Sequence, residues 1–120
     1  MQNRIILKDY LLIPEQKYFN GRPEGQDTRK ILKLDTVDEK KESVEFYINS
    51  GLIGMNVSFF LGLFSPTISK YGLNDFESRY VFTYEDNQVK KLFEKDFEYG
   101  KKAALREINP SNLLLKLQGR

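Results

Sequence analysis

The longest uncharged part of the chain, residues 46–69, predicts a buried strand that leads into a buried helix. Residues 44–49 form a short run of β-branched and aromatic residues, which is typical of a strand covered on both faces. A glycine-containing turn follows, and a helix opens near Asn56–Val57. Apolar residues at positions 57, 60, 61 and 64 fall on one helical face. A buried strand that leads into a buried helix predicts the middle of an α/β sandwich.

The N-terminal part of the chain predicts a strand region and then a loop. Residues 4–13 hold two apolar clusters around Lys8–Asp9, which indicate either one long strand or two short ones. Pro14 ends this region. Residues 17–25 are rich in turn formers and predict a loop.

A first helix is expected at about 28–37. Asp27 or Thr28 can cap its N-terminus. Its apolar positions are Ile31, Leu32, Leu34 and Val37. The polar run that follows, up to Ser43, ends it in a solvated loop.

After the central helix, expected at about 57–70, the pattern predicts a linker and another strand. Pro66 either lies in the last turn of that helix or ends it, because proline disfavours helix at the preceding residue. Residues 72–79 are expected to form the linker. Residues 78–84 alternate, and Tyr80, Phe82 and Tyr84 share one face of the expected strand.

A long final helix is expected at about 87–107, capped by Asp86 or Asn87 and ended by Asn109–Pro110. Its inward stripe is Val89, Leu92, Phe93, Phe97, Gly100 and Ala104. Residues 111–120, SNLLLKLQGR, carry four leucines in five positions. We expect this tail to pack on the domain or on a partner, with a homodimer as one outcome.

Alternation of strands and helices predicts a mostly parallel sheet of about four strands with right-handed crossovers. The length of 120 residues fits one domain over residues 1–120.

The residue types that the chain lacks exclude several classes of function. The chain has no His and no Cys, which excludes serine–histidine and cysteine–histidine catalysis and zinc–thiolate sites. The acidic residues Asp75, Glu77, Glu85 and Asp86 do not form a calcium-loop motif, so no metal is expected. We therefore expect a protein that is not an enzyme and has no cofactor.

Charge and hydropathy exclude two further classes of partner. The net charge is +2, with basic and acidic residues interspersed, so nucleic-acid binding is not expected. Polar residues interrupt the uncharged window, and its apolar runs are too short to span a bilayer. The N-terminus does not resemble a signal peptide, so a cytoplasmic location is expected. The aromatic face of the 78–84 strand is better explained by core packing than by base stacking.

Two sets of residues could bind a ligand, and they indicate a small-molecule, nucleotide or anion-binding domain as an alternative function. Successive backbone N–H groups around Gly54, Asn56 and Ser58 could form a nest at the start of the central helix. Arg22 and Arg29 could clamp a phosphate or a partner carboxylate. In the alternative, the glycines serve strand–helix packing, Ser58 is a capping or buried residue and the arginines are ordinary surface residues.

Three sequence pieces carry a resemblance to a known family. They are NGRPEGQDTRKIL at 20–32, GLIGMNVSFFLGLF at 51–64 and VFTYEDNQVKKLFEKDFEY at 81–99. Together they resemble the STAS-like domains of unknown function, relatives of the STAS fold of bacterial anti-sigma-factor antagonists. The resemblance covers roughly residues 20–104, and its middle piece is the most specific. It implies a STAS-like α/β fold and a non-catalytic regulator that docks on a protein partner.

In the anti-sigma-factor antagonists, an Asp-Ser pair at this helix start is phosphorylated by a histidine-kinase-like ATPase. The alignment places Asn56 on the aspartate, Val57 on the phosphoacceptor and Ser58 on the next residue, so this chain departs from the pattern. Ser58 is the alternative acceptor. The docking surface that the resemblance implies lies on the turn and helix 51–64. Its residues are Asn56, Ser58, Phe59 and Gly62.

Overall fold

A computed structural model describes the backbone of residues 3–119 and the side chains of residues 3–108. The strands are β1 (Asn3–Ile6), β2 (Tyr18–Phe19), β3 (Val44–Ile48), β4 (Gly54–Met55) and β5 (Tyr80–Tyr84). The α-helices are α1 (Arg22–Leu32), α2 (Leu34–Glu39), α3 (Val57–Tyr71), α4 (Leu73–Arg79) and α5 (Asn87–Gly119). Short 3-10 helices span Leu7–Tyr10 and Pro14–Gln16.

The fold is α/β, as the alternation of elements predicts, with two small parallel sheets. In the larger sheet β3 lies between β1 and β5, and Phe46 is level with Ile5 on one side and Phe82 on the other. The second sheet pairs β2 with β4. The described strands therefore divide into three and two, where the sequence predicted about four in one sheet.

The strand β3 is the centre of the larger sheet, as predicted, but only one of its faces is fully covered. Val44, Phe46 and Ile48 point into the core and are fully buried. Glu45 and Tyr47 alternate with them and are only partly buried, and the Arg4 guanidinium lies 4.4 Å from the centre of the Tyr47 ring. The expectation that both faces are covered is wrong, because the side chains of the second face stay partly accessible to solvent.

The middle of helix α3 is surrounded on all sides, which explains why this part of the helix carries no charge. The helix begins where predicted, and every residue from Phe59 to Phe64 is buried. Pro66 lies inside this helix and does not end it, although proline disfavours helix at the residue before it. The rings of Phe60 and Phe64 join an aromatic cluster whose other members are Phe46, Phe76, Tyr80, Phe82 and Phe97.

Two glycines let α1 and α3 approach closely. A Cβ atom on Gly25 would lie 2.3 Å from the Phe59 carbonyl oxygen, and one on Gly62 would lie 2.2 Å from the Arg22 carbonyl oxygen. Both distances are too short for any side chain, so the two backbones touch directly at these positions.

The first helix differs from the prediction of a single helix at 28–37. It begins at Arg22, where Pro23 supplies the backbone angle of a first helical turn. Lys33, at φ +56°, separates α1 from α2. The buried face of α1 consists of Gly25, Thr28 and Arg29. A hydrophobic pattern cannot detect such a face, and the predicted caps at 27–28 lie inside the helix.

Three other boundaries differ from those predicted. The strand β1 ends at Ile6, and a 3-10 helix takes the place of a longer strand. The predicted linker is α4, which buries Phe76 after Gly72 ends α3. The last helix does not end at Asn109–Pro110 but continues to Gly119, since a proline costs a helix stability without necessarily ending it. Predictions about the packing of the leucine tail fall outside the described side chains.

The predicted stripe of α5 is largely confirmed. The Asp86 carboxylate accepts a hydrogen bond from the Val89 N–H at 2.9 Å, which is the N-cap. Val89, Phe93, Phe97, Gly100 and Ala104 are buried. Leu92 is exposed, and so is Ile31 on α1, so these two do not belong to the core as predicted.

Candidate functional site

The sequence predicted an anion nest at the turn before α3. Three backbone N–H groups of this turn donate hydrogen bonds to other parts of the chain. The Ile53 N–H donates to the Lys17 carbonyl at 2.7 Å, and the Asn56 N–H donates to the Phe19 carbonyl at 2.8 Å. The Met55 N–H donates to an Asp96 carboxylate oxygen at 2.9 Å. An internal carboxylate therefore already accepts from this turn.

Asp96 explains why position 54 is glycine. A Cβ atom on Gly54 would lie 2.6 Å from the Asp96 Oδ2 atom, so a side chain there would displace the carboxylate. Burial raises the pKa of Asp96, although the bond from Met55 opposes this effect. Gly54 serves strand–helix packing, which is the alternative that the sequence left open.

Asn56 connects the turn to the start of α1. Its Oδ1 atom accepts from the Phe59 N–H at 2.9 Å, which caps α3, and from the Gly21 N–H at 3.3 Å. Its side-chain amide donates to Asn20. Ser58 is exposed in the first turn of α3.

The two predicted arginines are not brought together. Arg22 makes a bidentate pair with Glu107 on α5, with N–O distances of 2.7 and 3.1 Å. This pair raises the pKa of Arg22 and lowers that of Glu107. Arg29 is only 7% exposed and lies beneath α2 and α3, so it is not a surface residue. The predicted phosphate clamp is therefore not formed.

The predicted docking set is also divided. Phe59 is 3% exposed and Gly62 is buried, because α1 covers this face of α3. Only Ser58 is exposed, with Asn56 partly so. Partner contacts through this set are limited to the turn and the first residues of the helix.

A buried ionic network that the sequence analysis missed surrounds Asp38, which is 1% exposed. Its Oδ2 atom accepts from Arg29 at 2.9 Å and from the Thr67 hydroxyl at 2.6 Å. Its Oδ1 atom accepts from Arg79 at 3.1 Å and from the Tyr80 hydroxyl at 2.7 Å. The carboxylate therefore has four donors from α1, α3, α4 and β5.

The two arginines of this network make further hydrogen bonds to residues around it. Arg29 also donates to Asp35 and to the Leu63 carbonyl, and Arg79 also donates to Asp75 and to the Glu42 carbonyl. The Arg79 guanidinium lowers the pKa of Asp75, and burial raises the pKa of Tyr80 far above its ordinary value. The network therefore connects α1, α2, α3, α4 and β5 through hydrogen bonds.

A cleft of about 540 Å³ lies between residues 9–20 and α1. Its apolar side chains include Leu12, Ile13, Tyr18 and Ile31, all of which are exposed. Asn20 and Phe59 also line it, so the cleft borders the turn that Asn56 organises. The sequence signal for this cleft is the leucine–isoleucine run before Pro14, although its apolar pattern alone predicts a strand.

The cleft is acidic although the chain as a whole is slightly basic. Three carboxylates line it, from Asp9, Glu24 and Asp27, and no Lys or Arg is among its lining residues. An apolar surface with an acidic lining is suited to a ligand that is apolar and positively charged.

Comparison with protein-family models, with curated proteins and with solved structures finds no match for this chain. Within the part of the chain that the structure describes, no helix is both long and apolar enough to cross a membrane. The same residues contain no group of three or more acidic side chains placed to hold a metal ion.

Proposed function

We propose that this chain is a non-catalytic protein-interaction module of the STAS-like type. It binds an apolar, basic segment of a partner protein in the cleft between residues 9–20 and α1. The observation that carries the proposal is the concentration of exposed apolar side chains in this acidic cleft. Docking takes place at this cleft, beside the N-terminus of α3, because most of the predicted docking face of α3 is buried.

The exposed hydrophobic residues support a docking surface. Of the eight large hydrophobic side chains exposed in the described part of the chain, four line the cleft, with Leu12 78% and Ile31 67% exposed. Single exposed apolar residues are ordinary, but a contiguous set marks an interaction site. Burying these side chains under a partner would contribute about 25 cal/mol for each Å² of apolar surface.

Charge supports the nature of the partner segment. The lining contains three acidic side chains, Asp9, Glu24 and Asp27, and no basic one. A Lys or Arg in the partner would be attracted to this lining, and an acidic peptide would be repelled. The alternative of anion or nucleotide binding is not favoured, since three donors of the turn, the N–H groups of residues 53, 55 and 56, and both arginines have partners within the chain.

The resemblance to STAS-like domains supports a regulatory protein, such as a histidine-kinase-like ATPase, as the partner. Docking on such an ATPase would use the cleft together with the exposed turn at Ser58. Val57 cannot accept phosphate, so we propose docking without the phosphorylation switch of the anti-sigma-factor antagonists.

A displayed library of peptides of about a dozen residues tests the proposal. We expect enrichment of apolar peptides with Lys or Arg. Ile31→Asp should abolish binding, because it removes an exposed apolar side chain and places a charge within the apolar contact. Val81→Asp is the matched control, since Val81 is exposed on β5 and is not part of the cleft lining.

Binding should also weaken as salt rises, because the rim charges are screened. Enrichment of acidic peptides, or equal binding by the two variants, would refute the proposal. Phosphate found on Ser58 after incubation with an ATPase would overturn the part of the proposal that excludes a switch.

A further inference from the structure

The chain itself contains a segment with the chemistry that the cleft requires. Residues 111–120 include four leucines together with Lys116 and Arg120, and no acidic residue. The cleft offers exposed apolar side chains and three carboxylates. The tail and the cleft are therefore complementary both in hydrophobicity and in charge.

The course of α5 determines which cleft the tail can reach. At Glu107 this helix pairs with Arg22, the first residue of α1. It then continues to Gly119, and its 33 residues correspond to about 50 Å of helix. The molecule measures 50 × 29 × 26 Å, so the length of the helix equals the longest of these dimensions. Because a continuous helix is rigid over this length, the cleft of a second copy is the one that we expect its tail to reach.

We infer that the cleft of one copy binds the 111–120 segment of a second copy, so that two copies exchange their tails. This inference rests on the proposed function, because it assigns an occupant to the same cleft. A two-fold dimer satisfies both clefts at once, since each copy supplies one tail and one cleft. The exchanged tail occupies the partner site, so a partner segment must displace it.

Cross-linking in mixed samples tests the exchange directly. The chain has no cysteine, so each introduced thiol is unique. A chain carrying Ile31→Cys is mixed with a differently tagged chain carrying Leu114→Cys, and a short bismaleimide is added. We expect a covalent heterodimer. The control pairs Leu114→Cys with Val81→Cys, which lies outside the cleft lining, and should give little product.

Charge reversal provides a second test in the full-length chain. Sedimentation should show that Lys116→Glu and Asp27→Lys each weaken the dimer about two- to fivefold, as exposed ion pairs do. The double variant should recover the affinity. Leu114→Asp should weaken the dimer tenfold or more, because it places a charge in an apolar contact.

A chain that stays monomeric at all concentrations would overturn the inference. So would equal cross-linking at Ile31→Cys and Val81→Cys, or a cross-link formed only within a single chain that carries both Ile31→Cys and Leu114→Cys. The proposed function is judged separately with the Leu114→Asp variant. If tail exchange occurs, this variant should bind basic apolar peptides more tightly than the unaltered chain. If it binds none, the proposed function fails, whatever the oligomeric state.

Discussion

Asp38→Asn should destabilise the protein strongly, because Asp38 balances two buried guanidinium groups. Its carboxylate is 1% exposed and accepts four hydrogen bonds, two of them from Arg29 and Arg79. Asparagine has one acceptor oxygen and directs an N–H₂ group at donors. The change therefore leaves buried positive charge without its central partner.

The size of the effect follows from the remaining contacts. Removing one partner of a buried ion pair costs about 3–5 kcal/mol. Arg29 keeps its bonds to Asp35, and Arg79 keeps those to Asp75, so we expect the lower end of that range. A loss of about 3 kcal/mol with a urea slope of about 1.5 kcal/mol/M moves the unfolding midpoint down by about 2 M.

Asp35→Asn is the matched control, because Asp35 bonds the same Arg29 guanidinium but its side chain is 83% exposed. An exposed ion pair contributes less than about 1 kcal/mol. Urea unfolding followed by circular dichroism measures both variants. Equal costs for the two, or a cost below about 1 kcal/mol for Asp38→Asn, would refute the argument that burial makes this network important.

Three further outcomes are expected. Gly62→Ala should lower the melting temperature, although alanine favours helix, because its methyl group would lie 2.2 Å from a carbonyl oxygen of α1. Tyr80 and Tyr84 should remain protonated at a pH at which exposed tyrosines ionise, because burial raises the pKa of both. Absorbance at about 295 nm measures this ionisation. The free energy of unfolding should fall above about pH 10, because tyrosine in the unfolded chain loses its proton there and these two do not. Asp96→Asn should raise the free energy of unfolding at neutral pH. The raised pKa of Asp96 shows that the fold disfavours the ionised carboxylate, so the unaltered chain loses stability as the pH rises above about 4. Asparagine has no charge to lose and avoids this loss.

A specific result would contradict each of these three predictions. A higher melting temperature for Gly62→Ala would show that the two helices separate without cost. Ionisation of all seven tyrosines together in the folded protein would contradict the burial of the two phenols. A stability difference between Asp96→Asn and the unaltered chain that persists at about pH 3 would show that the effect does not come from the carboxylate charge.

The sequence by itself determined the parts of the fold that depend on apolar periodicity and local capping. The uncharged run predicted β3 and α3, and Asn56 caps α3 as an asparagine at a helix start should. The stripe from Val89 to Ala104 predicted most of the buried face of α5. These features could be predicted because an element that buries one side shows its period within a few residues.

Tertiary structure alone decided the buried face of α1, the ionic network and the cleft. Arg29, Asp38 and Arg79 are charged residues that a pattern assigns to the surface, yet they are buried together because their partners come from other elements. The cleft forms where residues 9–20 lie beside α1. Its exposed apolar side chains come from both segments, so they form one surface only in the folded chain. Burial of a charge depends on a counter-charge that is distant in sequence, and no local pattern contains that information.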